Sequence, residues 1–159
     1  MKITVITVGK IKEKFYRDAL AEYQKRLSRY CKLSIIEVPD EKTPDNASAL
    51  QETQIKQKEG ERILLKLSDS AYTIVLAIEG KNLDSVSFAH KMEQLAVGGE
   101  SQLQFIIGGS LGLSEQVLQR ADFKLSFGAM TYPHQLMRVM LLEQIYRCYR
   151  ITHKEPYHK

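Results

Sequence analysis

Cysteine is scarce in this chain. Cys31 and Cys148 are the only two, and they form no Cys-x-x-Cys pair. That spacing matches no metal site, so the plain expectation is two thiols kept reduced in an intracellular chain, without a disulfide. Long apolar runs are missing as well: none approaches the ~18–20 residues a membrane span needs. The first residues, Met-Lys-Ile-Thr-Val-Ile-Thr-Val-Gly, alternate like a strand and lack a small-residue cleavage site, which argues against a signal peptide. No internal repeat, linker or low-complexity tract divides the 159 residues. The polar stretch 40–48, with Pro44, Asp45 and Asn46, is too short to be a domain boundary. One domain over residues 1–159, in the cytoplasm, is therefore expected.

Apolar residues make up 43% of the chain and charged residues 26%, enough of each for a buried core in a globular protein. The net charge of +4 is mild, but its distribution is informative. After Asp122 the only acids are Glu143 and Glu155, against Lys124, Arg138, Arg147, Arg150, Lys154 and Lys159. His134, His153 and His158 lie there too. The C-terminal third is thus a basic region suited to a polyanionic partner.

Periodicity predicts the elements. Residues 2–8 read as a strand ending at Gly9, and Phe15, Ala19, Tyr23, Leu27 and Tyr30 share one face of a helix. A second strand over 33–38 is closed by Pro39, and a charged helix covers 49–66. The apolar run 72–78 reads as a strand buried on both faces, with 79–82 as a turn. A helix over 85–96 ends at Gly98-Gly99, and a strand over 104–107 runs into Gly108-Gly109. Ser114 opens a short helix, 123–127 is the last strand, and Pro133 starts a long helix to about residue 151. Strands alternating with helices imply an α/β fold, a mostly parallel sheet flanked by helices. Ligands of such sheets bind beyond the C-terminal strand ends. Here those ends are Gly9, 78–80, Gly108-Gly109 and Gly128.

Four motifs in the second half could carry chemistry. Gly108-Gly109-Ser110-Leu111-Gly112, after a buried strand, allows close approach of a ligand to the backbone. It is not the dinucleotide fingerprint, whose glycine spacing differs. Phe127-Gly128-Ala129-Met130-Thr131-Tyr132 runs into a helix N-terminus, a place for an adenine and a ligand carboxylate. The final helix is apolar on more than one face, which suggests cover by a second subunit. The tail His153-Lys154-Glu155-Pro156-Tyr157-His158-Lys159 could stack on a base and move a proton, although an arbitrary terminus is more often frayed.

Together these pieces resemble the SPOUT, or α/β-knot, methyltransferases, and among them the enzymes that modify large-subunit ribosomal RNA. The resemblance is carried by Ile3-Thr4-Val5-Ile6-Thr7-Val8-Gly9-Lys10, by Val75-Leu76-Ala77 with Glu79-Gly80-Lys81, and by Phe105-Ile106-Ile107-Gly108-Gly109. It continues through Gly112-Leu113-Ser114, Met130-Thr131, Pro133-His134, Arg138, Glu143-Gln144-Ile145-Tyr146-Arg147 and Pro156-Tyr157-His158. It implies methyl transfer from S-adenosylmethionine to N3 of a pseudouridine in 23S rRNA, on the ribosome, by a homodimer with a C-terminal trefoil knot. By position it assigns the cofactor to Leu76, Gly108 and Phe127, Gly128, Ala129, Met130, Thr131 and Tyr132. No metal and no membrane contact are implied.

His158 and Tyr157 are then the candidates for handling the N3 proton or orienting the base. Arg138 is the candidate for a phosphate or base-carbonyl contact, with a salt bridge at the dimer interface as its alternative role. Two other functions stay open on the residues alone: a non-enzymatic RNA- or ribosome-binding protein on the same fold, and a SPOUT enzyme acting on tRNA.

Overall fold

The structure is a computed structural model that describes residues 1–159. Its elements are β1 (Lys2–Val8), α1 (Lys14–Leu27), β2 (Lys32–Val38), α2 (Ala49–Leu64) and β3 (Tyr72–Asn82). They continue with α3 (Ser85–Val97), β4 (Gln102–Ile107), α4 (Glu115–Gln119), β5 (Phe123–Ser126) and α5 (His134–Thr152). Local chemistry sets several helix starts. Ser48 and Gln51 form a reciprocal capping box ahead of α2, Asp84 accepts from the Ser87 N–H ahead of α3, and Ser114 accepts from Val117 N–H ahead of α4.

The five strands form one sheet in the order β2-β1-β4-β3-β5, and every pair is parallel. Parallel strands need helical crossovers, so both faces are covered and the strands are apolar on both sides. On one face Ile3, Val5, Phe105 and Ile74 pack with α1, α3 and α5 through Leu27, Phe88, Met92, Leu141 and Ile145. On the other, Ile6, Val8, Val75 and Ile106 pack with α2 and α4 through Ile63 and Val117. Cys31 and Cys148 are both free and buried, and burial pushes both thiols up, away from the reactive thiolate.

The structure departs from the periodicity in one functionally relevant place. The expected turn at 79–82 is a continuation of β3. Leu76 and Lys81 both pair with Leu125, so residues 77–80 bulge out and the strand rejoins β5 at Lys81. Gly80 makes this possible, because a Cβ there would lie 2.7 Å from the Lys124 backbone. Smaller differences are that α1 stops at Leu27, β4 begins at Gln102, and Phe127 lies just outside β5. Pro133 is the N-cap of α5 rather than its first helical residue. Leu136, Met137, Val139 and Met140, on the apolar rows of α5, are only half-buried in the single chain.

Candidate functional site

The sheet order makes β4, β3 and β5 neighbours, so Leu76, at the bulge of β3, lies on the strand between those that lead to Gly108 and Phe127. Sequence placed these residues far apart; the parallel register gathers them. At Gly108 a Cβ would stand 3.0 Å from the Gly112 carbonyl carbon and from Leu113, so the loop folds back on itself only around glycine. Gly112 has φ +88° with open space where a Cβ would be, and Gly128 has φ +106°. Both conformations favour glycine and leave backbone accessible to a ligand. The turn at Gly128 is pinned by its N–H, which donates to Ser126 Oγ at 3.1 Å.

Beyond this turn Ala129, Met130 and Thr131 are exposed and Tyr132 is half-buried. The loop ends at α5, whose N-cap Pro133 offers no side-chain hydrogen bond to the first-turn amides. Those amides and the positive end of a long helix can take a carboxylate. Leu76, Ala77 and the bulge residues Ile78 and Glu79 line a cavity of about 520 Å³ with Gly112 and Leu113. A volume of this order holds a nucleoside-sized ligand. Phe127 lines a second cavity of about 500 Å³, with Asn82, Ser85, Tyr23 and Glu143.

The C-terminal tail contacts Glu143, one wall of that second cavity. Lys154, at φ 54°, ends α5 in the left-handed conformation. The Lys154 N–H donates to Ile151 O and the Glu155 N–H to Arg150 O, the paired bonds of a Schellman motif. The chain thereby reverses and runs back along α5. Arg150 holds it by an ion pair with Glu155 and a 3.1 Å bond to Pro156 O. Tyr157 then donates to Glu143 Oε1 at 3.1 Å, and its ring meets Tyr146 edge-on at 5.0 Å. Arg147 binds the same Glu143 carboxylate, lies over the Tyr157 ring, and donates to His158 Nδ1 at 3.2 Å. The tail is docked rather than frayed.

Burial and the neighbouring Glu143 carboxylate push the Tyr157 phenol up to about 12. It stays protonated at neutral pH and acts as a hydrogen-bond donor, not a base.

Arg138 sits elsewhere. Only 1% exposed, it donates from Nη1 to Glu37 Oε2 at 2.7 Å, and from Nη2 to Gly9 O at 2.7 Å and Val8 O at 3.1 Å. It ties the N-terminal half of α5 to the ends of β1 and β2. Buried, and with both Nη groups bonded to these three acceptors, it is placed to position α5 rather than to meet a phosphate. His134 lies beside it against Gly9. Burial and the Arg138 charge pull that imidazole below its ordinary value.

Sequence reasoning missed Glu143, Arg147 and Glu37 as site residues. Glu143 carried a faint signal, as a lone acid inside a basic, largely apolar helix. Glu37 carried none. No group of three or more His, Cys, Asp or Glu is arranged to hold a metal ion, and no helix is long and apolar enough to cross a membrane.

The fold is that of an α/β protein with glycine-rich loops and two cavities beyond adjacent parallel strands. Solved structures of that shape include a probable methylase family protein from Haemophilus influenzae, with TM-score 0.52, 12% identity, and coverage of 99% of this chain and 70% of that one. A putative methylase family protein from Neisseria gonorrhoeae gives TM-score 0.50 at 13% identity, covering 91% and 81%. At such identities the likeness speaks to fold alone.

The family follows from sequence. The profile described as "Predicted SPOUT methyltransferase" matches residues 1–158, and the chain belongs to that family of methyltransferases. The methyl donor of the family is S-adenosylmethionine. Among curated relatives, the protein named ribosomal RNA large subunit methyltransferase H from Bifidobacterium adolescentis is 64% identical over 159 residues, covering 100% of both chains. The protein of that name from Clostridium tetani is 60% identical, and one named methyltransferase H 1 from Clostridium perfringens is 58% identical, again over 100% of both chains.

Proposed function

We propose that this chain, working as one domain over residues 1–159, methylates N3 of a pseudouridine in 23S rRNA of the ribosome. It acts as a cytoplasmic homodimer with a C-terminal trefoil knot. The observation that carries the reading is the docking of Tyr157 and His158 on Glu143 and Arg147, with Glu143 lining the same cavity as Phe127. The full-length relatives named for ribosomal RNA support the substrate class. The half-buried apolar rows at the start of α5 support a partner subunit.

S-adenosylmethionine, when bound, supplies an activated methyl group, and the Leu76, Gly108 and 127–132 segments hold it. Gly112 and Gly128 leave backbone open to the ligand, and Gly108 lets its loop fold tightly beside it. The α5 N-terminus offers its open amides to a carboxylate. The reaction would break the donor's S–CH3 bond, leaving its electron pair on the neutral thioether, join the methyl carbon to N3 and release the N3 proton, so the protein's contribution is mostly alignment. Tyr157, whose one O–H is given to Glu143, anchors the tail so that His158 stands beside the target base. His158, once Arg147 releases its Nδ1, takes the proton directly or through water. Arg138 acts at a distance, by fixing α5 against β1.

The test is transfer of labelled methyl groups to whole ribosomes, large subunits, free rRNA and tRNA, followed by mapping of the mark. A single N3-methylated pseudouridine in large-subunit RNA is the expected outcome. Label on tRNA alone replaces the substrate. Cofactor binding in calorimetry without transfer to any RNA points instead to a non-enzymatic RNA-binding protein. Unchanged turnover by His158→Ala at saturating substrate removes that histidine from the chemistry.

A further inference from the structure

The charge of this chain is strongly segregated. Residues 10–32 hold eight Lys or Arg against three Asp or Glu, whereas residues 33–122 hold eight against fourteen. The segment 10–32, which contains α1, is therefore at least as basic as the C-terminal third. Only two of its cations are held by carboxylates, in the pairs Lys14–Asp18 and Arg26–Glu22. Lys10, Lys12, Arg17, Lys25, Arg29 and Lys32 are exposed and make no ion pair.

The fold places this segment against the tail. Tyr30, just past α1, stacks on Tyr149 with ring centroids 5.2 Å apart and hydrogen bonds to Glu155. Tyr23 of α1 lines the same cavity as Phe127 and Glu143. At the start of the helix Phe15 is 65% exposed. Such a ring, among unpaired cations, is suited to stacking on an unpaired base. The opposite flank of the cavity, at the start of α3, presents the acidic Asp84. An RNA strand that delivers a nucleotide to the tail finds the exposed cations of the 10–32 segment on the α1 side and the Asp84 carboxylate on the α3 side.

We infer that the exposed side of α1 and its flanks is the surface that grips the RNA backbone next to the target nucleotide. The helix is ~21 Å long at 1.5 Å per residue, enough to track several phosphates. Unpaired lysines and arginines there gain from counterion release without first breaking an internal ion pair. The inference rests on the reading above that RNA is the substrate. It adds the side from which RNA approaches.

The test compares two triple variants of the full-length protein. One neutralises Lys12→Gln, Lys25→Gln and Lys32→Gln; the other removes the same charge from the α2 side, by Lys42→Gln, Lys58→Gln and Lys66→Gln. Binding to naked large-subunit RNA is titrated against salt, and methyl transfer is resolved into KM and kcat. For the α1 triple, affinity at ~100 mM salt falls about tenfold or more, and the slope of log K against log salt flattens by about 2. KM for RNA rises while kcat, cofactor affinity and melting temperature hold. The α2 triple changes none of these by more than about twofold.

Equal losses in both triples, or none in the α1 triple, overturn the inference. A changed oligomeric state in the α1 triple overturns it too, by showing that another copy of the chain covers α1. If the unsubstituted protein methylates no RNA, the proposed function fails. The binding titration still decides whether α1 holds RNA.

Discussion

The two halves of α5 use the same chemistry for opposite ends. In the first half Arg138 is sunk beneath the helix and bound to Glu37 and the carbonyls of Val8 and Gly9. In the second half Arg147 binds Glu143 near the surface and touches the tail through Tyr157 and His158. Each is an arginine on one helix with a glutamate partner. Burial separates them: the side chain of Arg138 is 2% exposed and that of Arg147 24%. A buried guanidinium cannot be released from its partners without a large desolvation cost, so it serves as a fixed strut. A partly wet one can exchange partners, which a site that opens and closes on a substrate needs.

Four substitutions test that contrast. Arg138→Ala leaves Glu37 and two carbonyls without their donor, and is expected to remove about 3–5 kcal/mol of stability in urea unfolding. A loss under about 1 kcal/mol, the range of exposed pairs, would erase the distinction between the halves. Arg147→Ala should cost no more than about 1 kcal/mol of stability, because its pair is near the surface. Its methyl-transfer rate should fall about 100-fold, the low end for a misplaced proton-handling group. Unaltered turnover with an undocked tail, read by NMR, would break the link between Arg147 and the site.

The third probe is pH. Burial and the Arg138 charge hold His134 below the ordinary histidine value, against the weaker attraction of Asp40 and Glu13. The unfolded chain then binds the extra proton first as pH falls. The stability His134 contributes is complete above about pH 6.5 and declines on acidification below it. His134→Gln should flatten unfolding free energy between pH 7.5 and 5.5. The smallest effect belongs to Lys154→Gly, which relieves the left-handed strain at the end of α5 and should stabilise by up to about 1 kcal/mol. A loss of stability there would show that the Lys154 side chain, not the backbone reversal, holds the tail.

Much of the fold was legible in the chain. The alternation from Lys2 to Ile151 gave the parallel α/β class, because each strand and helix writes its own period. Glycines after strands marked the ligand edge, since few other residues tolerate the turns at Gly112 and Gly128. The Gly80 bulge was misread as a turn. Glycine signals an unusual backbone locally, but whether the strand resumes depends on a partner, here Leu125 and Ser126 of β5. Glu143 and Arg147 stood in the sequence as ordinary helix charges. Their role emerged only when the reversal at Lys154 brought Tyr157 back along α5.

By itself, then, the sequence determined the order of elements, the two-sided apolar core, the glycine-bearing loops after β4 and β5, and the basic character of the C-terminal third. The order β2-β1-β4-β3-β5, the gathering of Leu76, Gly108 and Phe127, and the separate duties of Arg138 and Arg147 were decided by tertiary structure. The physical reason is range. Periodicity and turn chemistry act within a few residues, where a side chain's own backbone sets the outcome. A bond such as Arg138 to Glu37, spanning 101 positions, exists only after the sheet has chosen its neighbours.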